Sequence, residues 1–211
     1  MAGDLTGDIV HGPPPPGEWG WGGGGSPNGP GSSRRASLLG LYLLLVSSTM
    51  VFLALLAVFI MRRSIAVDWI SMPKPRILWW NTGVLLASSA ALETARRKLR
   101  SSDRVAFNWW WTAATALGIL FLIGQGLAWQ QLRNSGHFIA SSPSTSFFYI
   151  LTATHAAHVL GAIAAVVYVE VGALRFTLGP AKRTVIDASA IFWHFLDGMW
   201  LCLMALFYIW G

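Results

Sequence analysis

The sequence predicts an all-α polytopic membrane protein, a bundle of five transmembrane helices behind a disordered Gly/Pro-rich N-terminal tail. Composition is the first reason. Of 211 residues, 54% are hydrophobic and only 11% are charged. A soluble domain carries about 25% charged residues, so this chain lacks the polar surface to enclose its apolar side chains in water. Pattern is the second reason. The apolar residues form long continuous runs rather than ten-residue alternating strands, which selects helices over a β-barrel. Charge placement is the third. The net charge is +6, but the basic residues fall between the apolar runs, where membrane orientation explains them better than nucleic-acid binding does. A cytosolic enzyme, a disulfide scaffold and a nucleic-acid binder are thereby excluded. The single cysteine, Cys202, also excludes internal disulfides and cysteine-based zinc sites.

Residues 1–37 form the tail. They hold 11 of the 22 glycines and 6 of the 10 prolines, too little apolar surface to offset the entropy of ordering. Ser33-Arg34-Arg35 before Leu38 resembles a twin-arginine signal, but the following run of 24 apolar residues exceeds the 7–15 of a signal core and no small-residue cleavage site follows. It reads instead as a basic anchor at a membrane helix.

The domain at 38–211 carries helices at about 38–61, 76–98, 107–132, 144–172 and 184–210. Leu38–Met61, Ile77–Leu92, Trp109–Leu132 and Ser135–Val169 contain no Asp, Glu, Lys or Arg, and Ala188–Trp210 contains only Asp197. A bilayer core of about 30 Å needs about 20 helical residues. Four runs meet that length. The second reaches it when Arg96 and Arg97 extend to the interface. Ten Lys and Arg residues fall on the N-terminal side of the membrane and five on the other, which places the N-terminus inside and the C-terminus outside.

Chemistry-bearing residues concentrate in the last two helices. His155 and His158 lie three apart, as do His194 and Asp197, so each pair shares a helix face. His155, His158 and Asp197 fall roughly 14, 18 and 20 Å from the outer helix ends at 1.5 Å per residue. An ionisable group at that depth needs a protein partner, so the four residues are expected to form one polar cluster between helices four and five. Interhelical hydrogen bonding, axial haem ligation by His155 or His158 with His194, and proton relay are all open to such a cluster. A metal site with Asp197 has the right ligand types but would ordinarily be drier and closed by four ligands. Glu93 is placed to pair with Arg96 and Arg97, and Glu170 with Arg175. Ala153, Ala157, Gly161 and Ala165 form a small-residue stripe on which another helix can pack closely, and Gly118, Gly124 and Gly126 read as packing notches. No inverted repeat marks a transporter.

Four segments in order resemble the cytochrome c oxidase subunit III family. Asn81-Thr82-Gly83-Val84-Leu85-Leu86-Ala87-Ser88-Ser89 is similar to its NT-x-x-LLxSS helix, and Leu117 through Gln125 to its LG-x-x-F-x-x-x-Q helix. Phe148-Tyr149 through Thr154-His155-Ala156-Ala157-His158-Val159 and Gly161 resembles FY-x-x-TGxHGxHVxxG. Trp193-His194-Phe195-Leu196-Asp197 with Trp200 resembles its terminal WHFVDxxW helix, and Asp187 stands where that helix usually has Glu. The likeness covers about residues 38–211 and implies a five-helix form without the first two helices of seven-helix members.

The resemblance further implies a non-catalytic supporting subunit of a respiratory haem-copper oxygen reductase, a terminal oxidase of aerobic electron transport in a bacterial inner membrane. Haem and copper would belong to partner subunits, with no cofactor of this chain's own. Subunit I would be the direct partner, with subunit II in the same complex and phospholipid bound. The histidines would then be packing and hydrogen-bonding residues. Two departures stand out: Ser48 and Ala128 occupy positions where the family usually carries Glu. A haem b-binding membrane anchor and the subunit III-like partner of a nitric oxide reductase are the alternatives.

Overall fold

The computed structural model describes residues 30–65, 76–136, 138–139, 142–174 and 180–210, and side chains within 35–65, 76–136, 138–139, 142–172 and 184–210. All of its regular structure is helical: α1 (Pro30–Ile65), α2 (Ile77–Arg100), α3 (Arg104–Asn134), α4 (Pro143–Leu174) and α5 (Pro180–Trp210). Proline opens three of the five. That suits a residue whose missing N–H is no loss in the first turn and whose φ is already helical. It also explains why α1 begins eight residues before the Leu38 start expected from composition, inside the segment assigned to the tail. The rest of the expected tail, residues 1–29, lies outside the described residues.

Four helices, α1, α3, α4 and α5, are long and apolar enough to cross a membrane, and the chain is an integral membrane protein. The shorter α2 falls below that composition because polar side chains, Asn81, Thr82, Ser88, Ser89 and Glu93, punctuate it before its basic end.

The turn between α2 and α3 is three residues long. Ser102 takes a left-handed φ of 62° there, and Asp103 caps α3 by accepting from the Ala106 N–H at 3.1 Å. So short a link makes α2 and α3 antiparallel neighbours, and their contact is the most extensive in the molecule. α3 then packs on α4, α4 on α5, and α5 back on α2, which closes a four-helix ring. α1 leans on α5 and α4 from outside. Its buried residues Leu41, Ser48, Phe52 and Phe59 recur at seven and four, a narrow seam, while most of its other apolar side chains are exposed.

The ring's core is aromatic. Phe121 meets Trp200 edge-on at 5.1 Å, and Trp200 lies 5.0 Å from the His155 ring. Phe59 reaches in against Phe147 and Phe207.

The expected small-residue stripe does not pack this bundle. Ala153, Ala157 and Gly161 are exposed and Ala165 is only partly covered, because Leu151, His155, Val159, Ala162 and Val166 take the inward face of α4. Close approach occurs on α3 instead. A Cβ at Gly118 would overlap the Trp193 indole, and one at Gly124 would overlap the Asn81 amide. Gly126 faces open space.

Candidate functional site

Polar side chains tie the ring together at three levels. Asn81 donates to the Phe121 carbonyl at 3.1 Å and to Gln125 Oε1 at 3.5 Å. Ser88 donates to the Ala114 carbonyl at 2.9 Å. These bonds close the α2–α3 contact. Between α2 and α5, Trp200 Nε1 donates to Thr82 Oγ1 at 2.9 Å. Between α3 and α4, Trp111 Nε1 donates to the Val166 carbonyl at 3.0 Å, Trp129 Nε1 to Thr152 Oγ1 at 3.0 Å, and Thr112 Oγ1 to Glu170 at 2.7 Å. Glu170 therefore serves α3; Arg175, its expected partner, lies outside the described residues. In a medium without water each such bond spares a polar group from standing alone.

The four residues expected to form one cluster are parted among three settings. His155 is fully buried, neither ring nitrogen has a hydrogen-bond partner among the described residues, and Phe52, Phe121 and Trp200 surround it at 6.2, 6.0 and 5.0 Å between ring centres. His158 turns back to its own helix, with Nδ1 2.8 Å from the Thr154 carbonyl, and its ring lies 5.3 Å from Phe52. His194 and Asp197 stay together, and His194 faces α2. His194 Nδ1 lies 2.6 Å from Ser89 Oγ and 3.8 Å from Asp197 Oδ2, and its Nε2 lies 4.0 Å from Glu93 Oε2. The reason is rotation about the helix axis: equal depth brings residues to one level, not to one side.

The α2–α5 seam continues toward the basic end of α2. Arg96 bridges Glu93 at 2.9 Å and Asp187 at 2.8 Å. Glu93 also lies 3.6 Å from Arg97, so the expected local pair is present and extends across helices. Of the other motif residues, Gln125 is buried with Nε2 unpartnered, as is Trp193 Nε1, and Gly161 faces outward. Ser48 and Ala128 are both buried. Sequence reading linked α5 to α4 and missed Ser89 and Glu93 as partners of His194. Their spacing of four, on one face of α2, was the available signal.

No group of three metal-ligating side chains occurs among the described residues. Of the histidines considered for haem, His158 and His194 direct Nδ1 to the Thr154 carbonyl and Ser89 Oγ, and aromatic rings crowd His155.

Motif residues tie this ring of membrane helices together, and comparison with known proteins gives the chain's family. The family model for cytochrome c oxidase subunit III matches residues 32–211. A probable cytochrome c oxidase subunit 3 of Nocardia farcinica is 32% identical over 127 residues, covering 60% of this chain and 63% of that protein. The cytochrome c oxidase subunit 3 of Synechocystis is 27% identical over 179 residues, covering 82% and 75%. That of Corynebacterium diphtheriae is 34% identical over 129 residues, covering 60% and 62%. The chain thus matches less than two thirds of the length of the Nocardia and Corynebacterium proteins. This chain belongs to the cytochrome c oxidase subunit III family.

Proposed function

We propose that the chain is the non-catalytic subunit III of a respiratory haem-copper oxygen reductase, packing on the catalytic subunit and supporting its stability and proton uptake. The family match over residues 32–211 carries this reading. Haem and copper sit in partner subunits, subunit I is the direct contact, and subunit II shares the complex. α2 is the fifth membrane span. Its polar side chains face α3 and α5 rather than lipid, which offsets its low hydropathy. The ten-to-five Lys and Arg bias supports an N-terminus inside a bacterial inner membrane and a C-terminus outside.

The exposed face of α4 at Ala153, Ala157 and Gly161 receives a helix of the catalytic subunit, because small residues admit a backbone closely. A lipid tail fits the apolar groove of about 360 Å³ between α1 and α5, lined by Leu53, Leu56, Met199 and Leu206 among others. The test is a mild-detergent pull-down of the tagged chain, with a visible spectrum and mass-spectrometric identification of its companions. A haem-copper subunit I should accompany the chain, and the haem signal should vanish when the two are separated. Ala157→Leu should weaken that association. A haem spectrum retained by the isolated chain, or recovery with a nitric oxide reductase, sinks the reading.

A further inference from the structure

The α2–α5 seam holds more ionisable groups than packing needs. Asp187 and Arg96 stand at its mouth, and Asp187 is about half exposed. Glu93 follows, then His194, then Asp197, whose side chain is 8% exposed. From Asp187 to Asp197 the series runs ten residues along α5, about 15 Å or half the hydrocarbon core. At its inner end neither oxygen of Asp197 accepts a hydrogen bond from any described residue. A buried carboxyl left in that state is costly and marks a functional position more often than a structural one.

We propose that this seam is a proton relay in which His194 transfers protons between Glu93 and Asp197. The geometry is two-sided. Nε2 faces Glu93 at 4.0 Å and Nδ1 faces Asp197 at 3.8 Å. A neutral imidazole carrying its proton on Nδ1 takes the carboxyl proton of Glu93 on Nε2. The imidazolium then releases the Nδ1 proton to Asp197 Oδ2. One O–H bond breaks at Glu93, one forms at Asp197, and the ring ends neutral with its proton on Nε2. Each gap exceeds a hydrogen bond, so a side-chain rotation or one bridging water closes it.

Ser89 completes the device. Its hydroxyl, 2.6 Å from Nδ1, accepts from Nδ1–H in the first tautomer and donates to bare Nδ1 in the second. Both resting forms of the ring are therefore hydrogen-bonded. Among the described residues, Ser89, Glu93 and Asp197 are the polar partners of His194. Of the titratable groups on α4, His158 is held at Thr154 and His155 is enclosed by aromatic rings. The relay supplies residues for the proton-uptake part of the function proposed above and rests on that reading for where its protons go.

The experiment is time-resolved infrared spectroscopy after a pH jump, on the complex that the full tagged chain brings down. The Asp197 carboxyl band is assigned by its loss in Asp197→Asn. In His194→Gln, whose amide hydrogen-bonds but neither takes up nor releases a proton, protonation of Asp197 should slow by about 10²-fold, the scale of a lost acid–base group. Glu93→Gln should slow it likewise, while the Glu93 band itself still responds in His194→Gln. An unchanged rate in His194→Gln overturns the relay, as does a spectrum with no Asp197 band to lose. Co-purified subunits are identified from the same sample, so an oxidase companion with unchanged rates refutes the relay alone, and a different companion refutes the oxidase reading alone.

Discussion

Three glycines on α3 differ only in what stands opposite them, which makes them a graded test of the packing. Alanine in a helix interior is favoured over glycine by about 1 kcal/mol. At Gly126 nothing lies within reach of a new methyl group, so Gly126→Ala should stabilise by that propensity alone. At Gly118 the methyl overlaps the Trp193 indole, and at Gly124 it overlaps the Asn81 amide. Overpacking of a filled interior costs about 1–3 kcal/mol. Net of propensity, both substitutions should destabilise by up to roughly 2 kcal/mol. Gly124 should be the worse, because Asn81 is pinned by its bond to the Phe121 carbonyl at 3.1 Å and cannot swing clear without losing it. The assay is thermal unfolding in detergent, followed by near-ultraviolet circular dichroism of the tryptophans. A double-mutant cycle sharpens it: in an Asn81→Ala background the Gly124→Ala cost should shrink, since the obstructing amide is gone. If Gly124→Ala melted at or above Gly126→Ala, or the cycle showed no coupling, the α2–α3 contact described here would be wrong.

Trp200→Phe keeps an aromatic ring near Phe121 and His155 but removes the donor to Thr82. The loss should be about 0.6 kcal/mol and no more than about 1.7 for that bond, as for other interhelical bonds in membranes, and Thr82→Val should add little to it in the same melting assay. Ala128 is fully buried, so restoring the acidic residue usual in the family by Ala128→Glu should cost about 3 kcal/mol for an unpartnered charge, read as a fall in the monodisperse fraction on size exclusion.

The membrane helices were legible because length and hydropathy are local properties. Three of the four charge-free runs, and the run that carries Asp197 as its lone acid, became the four helices long and apolar enough to cross a membrane. The start of α1 was not legible, since composition averages a proline-rich stretch and hides that Pro30 suits a first turn. Polar partners were half legible. Sequence placed His155, His158 and Asp197 at similar depth, but the direction of each side chain depends on how its helix is rotated. α5 touches α2 as well as α4, and Ser89 lies 105 residues from His194, a contact no local pattern announces. The small residues of α4 carried a true signal with an incomplete meaning. They show that a helix can approach, not which chain supplies it.

The contrast between α1 and α2 follows from the same physics. α1 is uncharged throughout its membrane stretch, with small polar side chains there at Ser47, Ser48 and Thr49, and is held to the ring by Phe52, Phe59 and a narrow seam, so lipid can solvate it almost as well as the bundle does. α2 carries Asn81, Thr82, Ser88, Ser89 and Glu93, and each finds its partner on α3 or α5. Facing lipid, those groups would lose their partners at a cost of roughly 1 kcal/mol or more each. The helix least suited to a bilayer by composition is therefore the one most firmly committed to the bundle. Loss of α1 leaves the four-helix ring intact, whereas loss of either neighbour of α2 exposes its polar face. That dependence ties the acidic and histidine groups of the α2–α5 seam to the assembled state, because the contacts that keep α2 in place are the ones that bring Glu93 and Ser89 to His194.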